Sequence, residues 1–191
     1  KPILTAMLNN TCISKWFSFV LLLVSFSVQV EGQYCRSTGH FRALSPPPGQ
    51  CTYKCCVENN VYFTFECSPL VTPQTEGILA LKSFQNSQSK CNNTNNHSDR
   101  SLVVALSTGW YNGGARCGNR IVIRGNRQIV VAKVVDECDS TKGCNAEEGY
   151  HPPCGRDIVA ASMAVWQALG IPQRLWGAPI NIKWADAGII N

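Results

Sequence analysis

From residue 102 onward, apolar and polar positions interchange in short runs. Residues 102–106 (LVVAL), 120–124 (RIVIR) and 128–135 (QIVVAKVV) read as strands. Gly125 and Asn126, between the last two, suit a tight hairpin turn. In residues 179–184 (PINIKW), Ile180, Ile182 and Trp184 share one face by strict alternation and are expected in the core. The period changes over residues 157–169, where Ile158, Ser162, Val165, Trp166 and Leu169 fall on one side of a helix. Asp157 suits the N-terminus of that helix, where a carboxylate meets free N–H groups and the positive end of the dipole. Gly170 and Pro172 end it, and Trp166 is expected in the core.

The N-terminal end follows a different logic. Residues 17–28 (FSFVLLLVSFSV) form an uncharged run, with Lys15 before it and Glu31 and Gly32 after it. A basic flank, an apolar stretch of this length and a small residue describe a secretory signal peptide, and the run is too short for a membrane span. The leader is expected to be residues 1–32, cut between Gly32 and Gln33. Met7 is a candidate true start, which makes residues 1–6 extraneous.

Residues 33–68 are loop-rich, hold five cysteines and include the tract Ser45, Pro46, Pro47, Pro48, Gly49, which disfavours helix. A β-prone run at residues 61–65 leads to Cys67. So short a segment buries little apolar surface alone and needs cross-links. Residues 85–100 are polar and Asn-rich, an exposed loop pinned at Cys91. Asn92 and Asn96 each open an N-glycosylation sequon. Several strands and one late helix indicate a mainly β fold, a compact barrel with a packed helix. The expected organisation is one domain, residues 69–191, with a cross-linked extension at 33–68.

Of the eleven cysteines, the leader removes Cys12. The remaining ten are Cys35, Cys51, Cys55, Cys56, Cys67, Cys91, Cys117, Cys138, Cys144 and Cys154. An even number in a secreted chain reads as up to five disulfides; the spacing does not match paired zinc ligands. Beyond residue 32 the chain has fifteen Lys and Arg against eleven Asp and Glu. This scattered basic surface is compatible with anionic wall polymers but is not a nucleic-acid stripe.

Candidate chemistry concentrates at two places. In residues 134–139 (VVDECD) a buried strand runs into Asp136, Glu137 and Asp139. These acids suit a proton donor, an anchor for a sugar hydroxyl, a partner contact, or simply a capped acidic turn. Glycoside cleavage usually needs a second carboxylate. Asp139, Glu147, Glu148, Asp157 and Asp186 are candidates, and none is singled out by spacing. Residues 107–117 (STGWYNGGARC) place Tyr111, Asn112 and Arg116 near a Gly-rich loop tip, as binding surfaces do. Trp110 fits either such a surface or the core. His40, His97 and His151 show no partnering pattern, and nucleophile-elbow, phosphate-loop and metal motifs are absent. No cofactor is expected.

Residues 104–114 (VALSTGWYNGG), Arg116 and Cys117, residues 132–140 (AKVVDECDS), Gly143 and Cys144, and Pro152, Pro153 and Cys154 together resemble the kiwellin or ripening-related family of plants. Residues 66–69 (ECSP) and 182–184 (IKW) also fit it. The resemblance implies a six-stranded double-psi β-barrel, related to barwin and to the first domain of expansins. It implies a secreted, apoplastic, defence-associated protein. Some members bind and inhibit enzymes that pathogens secrete, including chorismate mutases. The alternative is barwin- or expansin-like binding of cell-wall polysaccharide. Longer members carry a cysteine-dense N-terminal module of which only the tail, around Cys35, is present. Cys55 and Cys56 look like one cysteine more than the barrel needs, and Cys35 is expected to pair with one of them. In lytic relatives of this barrel one acid ends a strand, as Asp136 does, and a second lies near the next helix, close to Ala160 here. A non-catalytic role follows, with Asp136 the residue any glycan-cleaving activity would use. The expected partner surface comprises Tyr111, Asn112, Arg116, Asp136, Glu137 and Asp139.

Overall fold

The computed structural model describes residues 34–189 except 52, 86–87 and 92–96. The expected leader and both sequon asparagines, Asn92 and Asn96, lie outside the described residues. Among these residues no helix is long and apolar enough to cross a membrane.

Two short strands, β1 (Gly39–Arg42) and β2 (Val61–Thr64), form an antiparallel hairpin of their own. Six more build the barrel: β3 (Thr75–Leu81), β4 (Val103–Ser107), β5 (Arg120–Gly125), β6 (Gln128–Cys138), β7 (Ile158–Ala161) and β8 (Ile180–Asp186). They close in the order β3-β7-β4-β6-β5-β8. Only β3/β7 and β4/β6 are parallel pairs, as in a double-psi barrel, and closure leaves no free edge. Asn126 and Arg127, both at positive φ, make the β5–β6 turn one residue later than the sequence pattern placed it.

The barrel interior is apolar. Alternation sends Leu79, Leu106, Ile121, Ile123, Val134, Ile182 and Trp184 inward, each almost fully buried. One opening is plugged by the helical turn α1 (Thr108–Tyr111), whose Trp110 stacks edge-on against Trp184 at 4.9 Å. The Trp110 indole N–H donates to the Pro69 carbonyl at 2.7 Å. Trp110 is therefore core. Helix α2 (Met163–Ala168) adds Val165 and Trp166 to the same core.

The helix expected over residues 157–169 is a strand followed by a shorter helix. Residues 158–161 pair with both β3 and β4. This ladder overrides the helix preference of the two alanines. Ser162, in extended conformation, precedes α2. Asp157 thus lies ahead of β7 and caps no helix.

Ten cysteines form five disulfides: Cys35–Cys67, Cys51–Cys55, Cys56–Cys144, Cys91–Cys117 and Cys138–Cys154. The expected pairing of Cys35 with Cys55 or Cys56 is wrong. Thr38 and Thr64 are hydrogen-bonded at the open end of the β1–β2 hairpin. That end brings Cys35 and Cys67 together, with Cα atoms 5.5 Å apart. Cys55 and Cys56 serve two other bridges, one of which anchors the extension to the barrel domain.

Residues 82–101 are not simply an exposed loop. The described residues of this segment, 82–85, 88–91 and 97–101, form a strap on the outer face of β4, β6 and β7, where Phe84 packs with Val103, Ala105, Val135 and Ala160. Asp99 holds this strap in place, accepting hydrogen bonds from Ser83 Oγ and the Phe84 N–H at 2.7 Å each.

Candidate functional site

The acidic run at the end of β6 owes its placement to a break in register. Val104 pairs with Val134, but Ala105 pairs with Asp136, so Val135 is an extra residue on β6. Such a bulge re-aims the side chains that follow it. Val135 and Asp136 both come to lie beneath Lys82, Ser89 and Lys90 of this strap. Register extends the rung from Asp136 through Ala105 and Ala160 to Ala80. Asp136 is thus the one acid on a rung of three alanines, and Ala160 stands where a second acid was considered.

Each acid has a cationic partner. Asp136, only 4% exposed, accepts from Lys82 Nζ at 2.8 Å and from the Lys90 backbone N–H at 3.0 Å. Lys90 Nζ bridges Glu137 at 2.9 Å and Asp139 at 3.0 Å. The second Glu137 oxygen accepts from Thr108 Oγ at 2.6 Å. Asp139 also accepts from the Thr141 hydroxyl at 2.6 Å and its N–H at 2.9 Å. The Cys91–Cys117 and Cys138–Cys154 bridges flank the cluster.

These contacts set the protonation states. Burial by itself would lower the Lys90 pKa, but hydrogen bonds and charge attraction to Glu137 and Asp139 prevail and raise it. Burial would raise that of Asp139, yet the two Thr141 hydrogen bonds and Lys90 together hold it below the usual carboxylate value. Burial raises the Tyr111 phenol, with Glu137 and Asp136 adding to the effect. Lys90 and Asp139 are thereby held in their charged forms, and for Asp139 that is the reverse of what a proton donor requires.

The cluster gathers some expected site residues and not others. Asp136, Glu137 and Asp139 are together. Tyr111 joins them through its hydroxyl, which donates to the Lys90 carbonyl at 3.1 Å, but its ring is only 7% exposed. Its ring packs in the core beside the cluster. Asn112 is exposed at a left-handed turn, φ 51°. Arg116 turns away: its Nε donates to Asp186 at 3.1 Å, Nη1 donates to the Trp110 carbonyl at 2.7 Å, and the group lies over the Trp184 ring. It braces the barrel mouth and is no free cation. Lys82, Lys90, Thr108 and Thr141 were not foreseen. The two lysines sit 54 and 46 residues before Asp136, on the strap, where no local pattern marks them.

The family model described as Kiwellin-1 matches residues 16–187. The chain belongs to the kiwellin family. The kiwellin of Actinidia chinensis var. chinensis is 40% identical over 169 residues, 83% of this chain and 75% of that one. Ripening-related protein grip22 of Vitis vinifera is 40% identical over 151 residues, 74% and 67% of the two chains. Among solved structures, the expansin of Clavibacter michiganensis is 23% identical, covers 60% of this kiwellin-family chain and 50% of its own, and has a TM-score of 0.44. The Streptomyces papain inhibitor is 18% identical over 60% and 96% of the two chains, with a TM-score of 0.41.

Proposed function

We propose that this kiwellin-family chain is a secreted, non-catalytic plant defence protein that binds and inhibits a protein secreted by a pathogen, with chorismate mutase effectors the first class to test. The observation that carries the non-catalytic part is the rung Asp136–Ala105–Ala160–Ala80. Its single acid is ion-paired to Lys82. Cleavage of a glycosidic bond by paired carboxylates has no second group there. Five disulfides in a domain of this size favour an oxidising compartment and a surface that binds without reorganising. Asn112, Glu137 and Asp139 then offer a rigid polar rim, positioned by Tyr111 and Lys90.

The test is a titration of secreted chorismate mutases from plant pathogens with the oxidised protein, starting at residue 33. Turnover of chorismate and co-elution on gel filtration are the readouts. Saturable inhibition with a co-eluting complex is expected for at least one enzyme. If no enzyme across a broad panel is inhibited or bound, the reading fails. A parallel titration with cell-wall oligosaccharides, followed by tryptophan fluorescence, checks the competing polysaccharide reading.

A further inference from the structure

A groove of about 720 Å³ opens on the outer face of β3, β8 and β5, apart from the acidic cluster. Strand register arranges its charges. Glu76 on β3 faces Lys183 on β8, and Lys183 faces Arg124 on β5. Asp157 enters from the head of β7, on the far side of β3. In the strand order β7-β3-β8-β5 the charges therefore read acid, acid, base, base. The groove has a negative pole and a positive pole, with Ile78 of β3 in its lining and Leu70 exposed on its rim.

The groove's charges lie together on neighbouring strands yet stay unpaired among the described residues, unlike the cations of the other charge clusters. Lys82, Lys90, Arg116 and Lys142 all sit in ion pairs. None of Glu76, Arg124, Asp157 and Lys183 makes an ion pair or a side-chain hydrogen bond with another described residue. Opposite charges facing each other across two strands ordinarily stabilise a sheet by meeting, yet Glu76 and Lys183 stay apart. Moreover, Nη1 of Arg124 is buried and has no acceptor among the described residues. A buried donor left unmet is costly, and such exceptions need an explanation. A turn of the guanidinium toward an acceptor supplied by a ligand in the groove is one.

We propose that this groove docks an extended peptide segment of the protein partner, bearing one acidic and one basic side chain on either side of an apolar residue. The proposal rests on the protein-binding reading above and names its contact surface. The peptide carboxylate meets Arg124 and Lys183; its cation meets Glu76 and Asp157. Three strand spacings, about 14 Å, separate the outermost charges, Asp157 and Arg124, which matches side chains four residues apart on one face of an extended chain, with the apolar residue midway on that same face. The barrel is closed, so the peptide cannot add as a strand, and recognition falls to side chains. Charge complementarity decides against polysaccharide. An oligouronide carries only anions and meets repulsion at Glu76 and Asp157, while a neutral glucan satisfies neither pole.

The experiment uses ¹⁵N-labelled oxidised protein and a terminally blocked heptapeptide with Lys and Glu four positions apart around a central leucine. All-Glu and all-Lys versions, trigalacturonate and cellohexaose are the controls. Saturable shifts at the amides of residues 76, 124, 157 and 183 are expected with the mixed peptide alone. Lys183→Glu should weaken binding by at least about tenfold, with Glu76→Gln weakening it less and both variants keeping the remaining spectrum. An equal response to all probes, preference for trigalacturonate, or no response overturns the proposal. In the chorismate mutase titration, inhibition that Lys183→Glu leaves unchanged sinks the groove and spares the function; a wild-type protein without a partner sinks the function, and the peptide titration still judges the groove.

Discussion

The segment before the barrel and the barrel itself are held together by different physics. The largest fully buried side chains, from Trp110, Trp166 and Trp184 to Leu79 and Leu106, all lie beyond residue 68. The preceding segment leaves Tyr34, Leu44, Tyr53, Val57, Val61 and Phe63 exposed, six of the eleven large hydrophobic side chains so placed among the described residues. It has no core to speak of, and it holds a cysteine of three of the five disulfides. Cys56–Cys144 is the one of the five disulfides that ties it to the rest. Apolar burial grows with the size of a domain, and thirty residues bury too little to offset their conformational entropy. Cross-links lower the entropy of the unfolded chain instead.

The sharpest way to break this contrast is to remove Cys56 and Cys144 together as serines. The bridge spans 88 residues, and a loop of that length is worth about 4–5 kcal/mol in the chain-entropy account. The expected outcome is a segment 35–68 that exchanges its amides quickly while the barrel keeps its near-ultraviolet tryptophan signal. Simultaneous loss of both would mean that the barrel depends on its extension. Next in size is Leu106→Ala inside the barrel, at about 3 kcal/mol by analogy with other buried leucines. Denaturant unfolding should show the opposite distribution, with the barrel weakened and the disulfide-bound hairpin intact.

A smaller test probes the seam between the two regions. Gly109, on α1, lies against the backbone of Cys67 and Ser68, where an added Cβ has no room. The Ser68 hydroxyl accepts from the Trp110 N–H at 3.1 Å, fixing the same seam. Gly109→Ala should cost about 2 kcal/mol by overpacking, and it should shift amides on both sides of the seam. A neutral substitution would show that the extension rides loosely on the barrel.

Elements whose hydrophobic pattern matched their final burial were legible in the sequence; elements governed by distant partners were not. β8 alternates cleanly, and Ile182 and Trp184 are buried as expected. β5 and β6 flank an obvious turn. β3 escaped notice because Glu76 and Gly77 interrupt its apolar run, and its strand character comes from pairing with β7 and β8. β7 was read as helix because its alanines continue the spacing of α2. At the site, three acids in four residues drew attention by themselves. Their partners did not, since Lys82 and Lys90 arrive on a strap whose path only the fold defines. Tyr111 and Arg116 had the composition of a binding loop, but Trp110 anchors that loop by its indole and draws both side chains inward.

The smallest expected effect isolates the ions of the strap from its packing. Lys90→Met keeps the aliphatic stem and removes the charge shared by Glu137 and Asp139. The Lys90 side chain is 44% exposed, so solvent screens the pair and the cost at neutral pH should be about 1 kcal/mol. Its pH dependence identifies the cause. The Asp139 carboxyl lies below its ordinary value in the folded protein, so its contribution is complete above about pH 4 and is lost as pH falls through the folded value. The raised Lys90 ammonium contributes fully below about pH 10.4 and loses its share only as pH climbs through its folded value. Between these limits the difference between wild type and variant should be flat, and it should shrink in acid as Asp139 takes up its proton. A gap that persists unchanged at pH 3 would assign Lys90 to packing, and the acids at the end of β6 would then need another source of order.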